Sequence, residues 1–433
     1  MTLREAARSI FDSALAAAAV RPLVLKAVAG VDPPEEGRLI VLGAGKASGA
    51  MAAAVEEAWG ERVADGLVVV KDGYRAPTRR IRVVEAGHPV PDERGAAAAR
   101  EILALAQSAG AGDLVLVLIS GGGSALIPAP APPVTLADKQ AVTGLLLAAG
   151  ANINQLNAVR KHCSLLKGGQ LARAAARARV HALLLSDVIG DPLDVIASGP
   201  TAPDVSTFGE ALAILDHFGL RNRAPRPVIE RLEQGARGAI PETLKPNDPL
   251  FARVSNVVIG NNALVVDAAA RQAARLGFTP HVLARPLEGE AREVAKEWAR
   301  TARAVRAGHG PAKAPACVIA GGETTVTVRG KGSGGRCQEF ALSAALAFGG
   351  LEGVVILAAG TDGSDGPTAA AGAVADGESC GRAREQGHDP GARLADNDSN
   401  RVFAALDDLV VTGPTNTNLL DLYLLVVRSV SGS

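Results

Sequence analysis

The residues best suited to chemistry lie in glycine-rich turns that follow short apolar runs. The first turn, Gly43–Gly49, follows the run Leu39–Leu42 and contains Lys46. Glycine lets a phosphate approach the backbone closely, and the helix N-terminus beyond the turn favours an anion. Gly43 and Gly45 are therefore predicted to line a phosphate site, to which Lys46 adds a full positive charge. The alternative is that these glycines only permit tight packing of a strand against a helix.

The same turn partly matches the dinucleotide-binding fingerprint GxGxxG, but the match is poor. The third glycine comes one place late, at Gly49, and Asp72 lies well beyond the usual ~20 residues from the turn. The Walker A sequence does not occur in the chain. A P-loop NTPase is therefore disfavoured, and an NAD(P)H-dependent oxidoreductase is retained as an alternative enzyme class.

A second turn follows the most apolar run of the chain, Leu114–Ile119. Consecutive small residues with open backbones form anion-binding nests, so this turn is also predicted to bind a nucleotide phosphate. Its predicted contact residues are Ser120, Gly121, Gly122, Gly123 and Ser124. The nucleophile elbow of a serine hydrolase requires GxSxG, which the sequence around Ser124 does not provide.

Acidic and cationic residues follow between the turns. Asp187 comes directly after the run Ala182–Leu185, where a carboxylate can act on a bound hydroxyl group. Asp191 is a candidate metal ligand, although Asp often only caps turns and helices. The carboxylate of a small acid is predicted to be bound by a short basic stretch, whose alternative role is a solvated helix face. The residues proposed for this are Asn157, Arg160 and Lys161, with Lys167 nearby.

The second half of the chain repeats this design. Gly321, Gly322 and Glu323 follow an apolar run and are predicted to contact the nucleotide. Arg336 stands at the end of the glycine-rich loop 332–335 and the start of a helical stretch. An arginine in such a place can reach a phosphoryl group during transfer.

A further loop contains the acidic residues Asp362 and Asp365 between Thr361 and Gly366. It lacks the ligand register and the terminal Glu of an EF-hand. Magnesium bound together with a nucleotide fits the loop better than calcium does, and Asp365 is the candidate metal ligand.

The elements that position these turns are short strands that alternate with alanine-rich helical stretches. This alternation predicts an α/β fold with mostly parallel strands. A chain of 433 residues predicts two domains, and the proline-rich segment between Phe218 and Phe251 predicts their connection. We place the domains at residues 1–238 and 239–433, and expect the last ~25 residues to pack back on the first domain.

Composition limits the partners and the compartment. Lys+Arg and Asp+Glu both total 45, and this balance of charge argues against nucleic acid or an anionic membrane as a partner. The 4 cysteines form no CxxC pair, which argues against a zinc site or a disulfide framework. No apolar stretch approaches the ~20 residues that span a bilayer. We therefore expect a soluble, cytoplasmic protein with small-molecule partners.

Together the motifs resemble those of the class II glycerate kinase (glycerate 2-kinase) family, whose C-terminal part is called the MOFRL domain. The resemblance extends over nearly the whole chain. The segments that carry it are 43–47, 120–125, 157–162, 186–191, 321–324, 334–336 and 361–366.

The resemblance implies transfer of the γ-phosphoryl group of ATP to the C2 hydroxyl of D-glycerate, which gives 2-phospho-D-glycerate and uses Mg²⁺ or another divalent cation. It also implies a Rossmann-like larger N-terminal domain, a smaller α/β C-terminal domain and an active site in the cleft between them. Lys46 and Arg336 would stabilise the transferring phosphoryl group, and Asp187 would activate or orient the substrate hydroxyl. Thr361, Asp362 and Gly363 would line the nucleotide site.

Two alternatives to the kinase are kept open. Members of this family have also been labelled hydroxypyruvate reductases, which would oxidise NAD(P)H. The other alternative is a ligand-binding protein without chemistry. The oligomeric state is open, with a homodimer as one assembly.

Overall fold

The computed structural model describes residues 1–429, and these form two compact units. The first unit is Val20–Ile259, and the second comprises Met1–Ala19 together with the chain from Gly260 onward. The units therefore separate at residue 259, whereas the predicted separation was at residue 238. The first 19 residues also join the later part of the chain rather than the earlier part.

The proline-rich segment that suggested the connection lies inside the first unit. Pro225 precedes a helix, Arg226–Ala236, that has a proline in its first turn, and Pro249 begins a short 3₁₀ helix, Pro249–Arg253. Proline is tolerated at these positions because the first N–H groups of a helix have no intrahelical partner. The prolines therefore begin helices here instead of forming a linker.

The elements run in chain order as follows. The helices are α1 Leu3–Ala17, α2 Val20–Val28, α3 Ser48–Trp59, α4 Glu93–Ser108, α5 Gly123–Leu126, α6 Leu136–Ala148, α7 Ile153–His162, α8 Gln170–Ala174, α9 Phe208–His217, α10 Arg226–Ala236, α11 Asn262–Arg275, α12 Ala291–Arg306, α13 Arg336–Phe348, α14 Ser379–Glu385, α15 Pro390–Ala395 and α16 Ser399–Leu406. The strands are β1 Leu39–Ala44, β2 Val63–Lys71, β3 Arg82–Ala86, β4 Leu114–Ile119, β5 Arg179–Leu185, β6 Val254–Gly260, β7 Thr279–Val282, β8 Ala316–Gly322, β9 Val354–Gly360, β10 Gly372–Asp376, β11 Leu409–Val410 and β12 Asp421–Val427.

The first sheet has the strand order β3-β2-β1-β4-β5-β6. Strand β1 pairs in parallel with β2 and β4, and β2–β3 and β4–β5 are also parallel. Every residue of β1 and β4 is buried, as expected for strands covered by helices on both faces. This order is that of the Rossmann fold, which confirms the predicted fold class.

The direction in which strands are added reverses between β1 and β4. In open parallel sheets, ligands bind at such a point, beyond the carboxyl ends of the strands. Ala44 at the end of β1 lies beside Ile119 at the end of β4. The two glycine-rich turns of the first unit, which follow these residues, are therefore neighbours at the ligand-binding edge.

The second unit is also α/β, but its sheet is mostly antiparallel, with the strand order β11-β10-β9-β12-β8-β7. Strand β12 pairs antiparallel with both β8 and β9, and only β7–β8 is a parallel pair among the pairings described. The expectation of mostly parallel strands is therefore wrong for this sheet. The C-terminal strand β12 lies in the middle of the second sheet, between β9 and β8.

The mainly aliphatic core of the second unit contains a cluster of three aromatic rings. The ring of Phe340 lies 4.8 Å from that of Tyr423 and 5.7 Å from that of Trp298. These side chains come from α13, β12 and α12 and fix the two helices on the sheet. No helix within residues 1–429 is both long enough and apolar enough to cross a membrane.

Replacing Gly43 with Ala tests the close packing of β1 on β4. A Cβ atom at this position would lie 2.3 Å from the carbonyl oxygen of Leu118, so the strands must separate. We expect the free energy of unfolding to fall by about 1–3 kcal/mol, measured by urea denaturation. The control is Gly144→Ala on α6, where a Cβ meets nothing within 4 Å and helix propensity favours Ala by about 1 kcal/mol. Equal stability of the two variants would contradict the packing role.

Candidate active site

The glycines of the first turn allow β1 and β4 to approach closely. Gly45 has a φ of +145°, and a Cβ atom there would lie 2.1 Å from the hydroxyl oxygen of Ser120. Gly43 is equally restricted by the backbone of Leu118. These contacts favour the packing interpretation of both glycines.

The amide groups of the first turn are also bound within the protein. The N–H of Gly45 donates to the carbonyl of Val69 at 3.0 Å, and the N–H of Lys46 donates to the carbonyl of Gly121 at 2.9 Å. The N–H of Ala47 donates to the hydroxyl of Ser120 at 2.9 Å. This backbone therefore has few donors left for a phosphate. The functional group that the turn presents is the side chain of Lys46.

The second turn differs, because part of its backbone is available. Among residues 1–429 we find no hydrogen-bond acceptor for the amides of Gly121 and Gly122. Gly122 adopts the left-handed conformation, with φ of +87°, directly before α5. Open consecutive amides in such a conformation form an anion nest. The geometry of Gly121 and Gly122 thus suits the predicted phosphate contact.

His88 and two lysines lie near this turn. A Cβ atom added to Gly122 would be 3.0 Å from ring atoms of His88. Burial of the imidazole, together with the charges of Lys46 and Lys71, lowers the pKa of His88 to about 4. The imidazole is therefore neutral near pH 7, while the lysines give this edge of the sheet a positive potential.

Ser124 belongs to a hydrogen-bonded network. Lys167 donates from Nζ to the carbonyl of Ser124 at 2.6 Å and to its hydroxyl at 2.9 Å. The hydroxyl of Ser124 lies 2.9 Å from that of Ser198, which donates to Oδ1 of Asn157. Since Ser198 gives its proton to Asn157, Ser124 must donate to Ser198.

The predicted acid-binding residues separate into different environments. Lys161 is buried and pairs with Asp194 at 3.1 Å and Asp204 at 3.2 Å, which indicates a structural role. Asn157 accepts from Ser198, as described. The side chain of Arg160 makes no hydrogen bond and no ion pair that we find among residues 1–429. Of these three residues, Arg160 is therefore best able to bind an anion, through its guanidinium group.

Ser198 was not recognised from the sequence as a member of this network. Ala197 and Ser198 both have positive φ, +50° and +61°, a conformation that costs non-glycine residues of order 1–3 kcal/mol. The strained backbone places Ser198 against Ser124. The sequence signal for it was weak, because Ser-Gly-Pro at 198–200 suggests only a turn.

The two acids of the first unit lie beyond β5. Asp187 follows the last strand residue, Leu185, by two positions and so lies at the same edge as the two turns. Asp191 has a φ of +54° in the following turn. The roles of Asp187 in catalysis and of Asp191 in metal binding remain predictions.

In the second unit, Arg336 is held by two carboxylates. Its Nε and Nη2 donate to Asp421 at 2.5 and 2.8 Å, and Nη1 lies 3.0 Å from Glu323. Tyr423 also donates to Asp421, at 3.0 Å. Burial opposes the charge of Arg336, but hydrogen bonding to Asp421 raises its pKa. Asp421 was missed because it lies 85 residues from Arg336 in a run that otherwise looks like an apolar strand.

The loop from Thr361 to Gly366 is fixed by hydrogen bonds and close packing within the second unit. Thr361 donates to the carbonyl of Leu420 at 2.8 Å, and Asp362 accepts from the amide of Ser364 at 3.0 Å. Gly363 has φ of +84° and lies against Gly413. Gly321 and Gly322 similarly form the end of β8. Nucleotide binding by these residues remains a prediction.

Asp365 caps the N-terminus of α13. It accepts from the amides of Cys337 at 3.1 Å and Gln338 at 2.8 Å, and burial raises its pKa to about 6. A Cβ atom on Gly335 would lie 2.2 Å from this carboxylate. These contacts orient Asp365 toward the helix backbone, and its role as a metal ligand is untested.

The charge of Lys46 on the His88 imidazole gives a direct test of the arrangement in the first unit. Lys46→Met is expected to raise the pKa of His88, because it removes a positive charge, although burial still holds that pKa below 6.5. NMR titration of the histidine ring protons measures this change. His181, whose pKa is lowered by burial and by Arg179, should not shift. An unchanged His88 titration would show that Lys46 lies elsewhere.

The chain matches two family models. Residues 6–233 match a domain of unknown function, DUF4147, and residues 316–421 match the MOFRL family. The second match ends at Asp421, the first residue of β12. The candidate site residues of the first unit, from Lys46 to Asp191, all lie within the first match.

Relatives resemble the chain over its whole length. A glycerate 2-kinase from Pyrococcus horikoshii is 39% identical, over 100% of this chain and 99% of the relative. A protein from Agrobacterium vitis, provisionally named a hydroxypyruvate reductase, is 42% identical over 99% of this chain and 95% of the relative. The crystal structure of a glycerate kinase from Thermotoga maritima superimposes with a TM-score of 0.90 at 40% identity, covering 98% of this chain and 99% of that one. The chain belongs to the class II glycerate kinase family, which combines a DUF4147 domain with a C-terminal MOFRL domain.

Proposed function

We propose that this protein transfers the γ-phosphoryl group of ATP to the C2 hydroxyl of D-glycerate, which yields 2-phospho-D-glycerate and ADP. The observation that carries the proposal is the convergence of Lys46, Lys71 and the open amides of Gly121 and Gly122 where the strand order reverses. Phosphoryl transfer depends mainly on positioning and on electrostatic stabilisation of the phosphate oxygens. The two lysines and the two amides supply both positioning and electrostatic stabilisation, without a covalent bond to the substrate.

Each residue has a distinct task in this proposal. Gly121 and Gly122 donate their amides to phosphate oxygens, and Lys46 neutralises charge that develops on the transferred group. Asp187 orients the hydroxyl of the acid and accepts its proton. Arg336 donates from its remaining N–H groups to the phosphoryl oxygens, while Asp421 holds the guanidinium plane in place.

Magnesium fits this scheme as part of the nucleotide. Within residues 1–429 no group of three or more His, Cys, Asp or Glu side chains is arranged to hold a metal ion. Mg²⁺ commonly binds through one or two carboxylates together with substrate phosphates and water. In this proposal Glu323, which lies beside Arg336, and Asp191 contribute such carboxylate contacts. The ion would neutralise phosphate charge when ATP is bound.

The reductase alternative is favoured by the name of the Agrobacterium vitis relative. A dinucleotide fold binds pyrophosphate on the backbone of its first glycine-rich turn and helix. Here the amides of Gly45, Lys46 and Ala47 donate within the protein. The first turn therefore lacks the donors that NAD(P)H would require, which favours the kinase.

The reaction is tested by measuring ADP release with purified protein. We expect release to require both D-glycerate and Mg²⁺, and phosphorus NMR to identify the product as 2-phosphoglycerate. A product phosphorylated at C3 would contradict the proposed acceptor hydroxyl. NADH oxidation with hydroxypyruvate, without any ADP release from glycerate, would establish the reductase instead.

Substitution of Arg336 tests its role in the transition state. Arg336→Ala is expected to lower kcat by about 10³-fold with a smaller change in the KM for ATP, because an arginine on the transferring group acts mainly in the transition state. Arg329→Ala, on an exposed loop before α13, is the control. Since loss of Arg336 also leaves the buried Asp421 without its partner, unfolding must be measured in parallel. A stable variant with wild-type kcat would remove Arg336 from the mechanism.

A further inference from the structure

Three cations in the first unit lie near enough to influence one another's charge, and we find no carboxylate paired with any of them among residues 1–429. Lys139 on α6, Arg160 on α7 and Lys167 before α8 form what we call the cationic cluster. Lys139 is 6% exposed, and its Nζ has no hydrogen-bond partner among the described residues. Lys167 is fully buried, and within residues 1–429 its Nζ donates to the carbonyl and hydroxyl oxygens of Ser124.

Buried charges in proteins are normally paired, because an isolated ion loses its hydration. Lys161, the neighbour of Arg160 on α7, follows this rule through its two ion pairs. Asp204 is the acid that approaches Gly168, but it is bonded to Lys161 and Ser206. In the described part of the chain we therefore find no acid that forms an ion pair with the cationic cluster.

The absence of a counter-charge affects protonation. Burial, together with the charges of Arg160 and Arg231, lowers the pKa of Lys139 to about 7, although Cys163 acts in the opposite direction. Burial and the charges of Arg160 and Lys139 likewise lower the pKa of Lys167 well below its ordinary value.

The remaining groups around the cluster do not change this picture. Cys163 stays a thiol, because burial raises its pKa to about 11. Arg231 on α10 donates to the carbonyls of His162 and Pro132, and Asp138 on α6 caps its own helix through Thr135. In the free protein Lys139, with a pKa of about 7, is thus largely neutral at pH 8, the pKa of Lys167 is lowered in the same direction, and Arg160 carries the charge.

We propose that the cationic cluster binds the carboxylate of the acceptor acid and takes up a proton when it does so. Arg160 contacts the carboxylate through its planar pair of donors, which match two carboxylate oxygens. The bound anion supplies the missing counter-charge, so that Lys139 or Lys167 becomes protonated behind it. The identity of the acid as glycerate rests on the proposed function, whereas the anion site and the proton uptake rest on the cluster itself.

The proposal fixes the sign of the pH dependence. A group whose pKa is raised by a ligand binds protons together with that ligand. Affinity for the acid therefore strengthens as pH falls from 9 toward 7, the pKa of Lys139 in the free protein.

Isothermal titration calorimetry of D-glycerate in the presence of a non-hydrolysable ATP analogue tests this directly. The same titration at pH 8 in buffers of different ionisation enthalpy gives the number of protons taken up, which we expect to approach about one. Glycerol, which lacks the carboxylate, should not bind. Binding of D-glycerate with no proton uptake, or no binding at all, would overturn the proposal.

Three variants locate the effect. Arg160→Ala should weaken D-glycerate binding by about 10- to 100-fold. Lys139→Met should reduce proton uptake while the fold is kept, because it replaces an unpartnered buried amine with an apolar side chain of similar length. Lys26→Met, at an exposed site on α2, should change neither quantity.

The outcomes of the variants also separate this proposal from the kinase proposal. Unchanged affinity in a folded Arg160→Ala protein, or full proton uptake in a protein that lacks both Lys139 and Lys167, would contradict the cluster as the site. ADP release in the wild type is measured separately. A protein that takes up a proton with D-glycerate but releases no ADP would keep the anion site and refute the kinase.

Discussion

The close approach of β1 and β4 is the constraint on which the first half of the candidate site depends. Gly43 and Gly45 allow the two buried strands to end side by side, with the Lys46 amide donating to Gly121. In the first turn the N–H groups of Gly45, Lys46 and Ala47 donate within the protein. In the second turn we find no acceptor for the amides of Gly121 and Gly122 among residues 1–429. We therefore expect the first turn to contribute the cationic side chain of Lys46 and the second turn to contribute its backbone amides.

The first sheet could be predicted from sequence because parallel strands buried on both faces appear as apolar runs that end in ligand-binding turns. The same signal misled the prediction for the second sheet. The strand Asp421–Val427 is buried throughout and looks identical whether it pairs in parallel or antiparallel. Strand direction is determined by chain connectivity and long-range pairing, which composition and periodicity do not record.

The candidate site was predictable to the extent that its residues stand in glycine-rich turns. Lys46 and Arg336 were singled out in this way, and their roles stay predictions, whereas Asp421, which binds Arg336, and Ser198, which binds Ser124, were not. Asp421 and Ser198 act on residues far away in sequence, and each stands in a segment with an ordinary structural explanation. Lys161 illustrates the opposite error, since a basic residue in a basic stretch proved to be an ion-pair partner of Asp204.

The two units carry contrasting electrostatics around their candidate residues. In the first unit, the buried amine of Lys167 donates to Ser124, and we find no ion pair for it among residues 1–429. In the second unit, Arg336 is surrounded by Glu323 and the buried Asp421. An arginine so constrained loses little conformational freedom when it contacts a phosphoryl group, and its neighbouring carboxylates favour a nucleotide that carries Mg²⁺.

The central claim is that the first turn contributes the charge of Lys46 and not its backbone amides. The most direct test is the steady-state rate of phosphoryl transfer from ATP to D-glycerate by Lys46→Met, with circular dichroism to establish the fold. Our account predicts that kcat falls by about 10²- to 10³-fold, as for removal of one donor from a charged transition state. A folded Lys46→Met protein with wild-type kcat would contradict it.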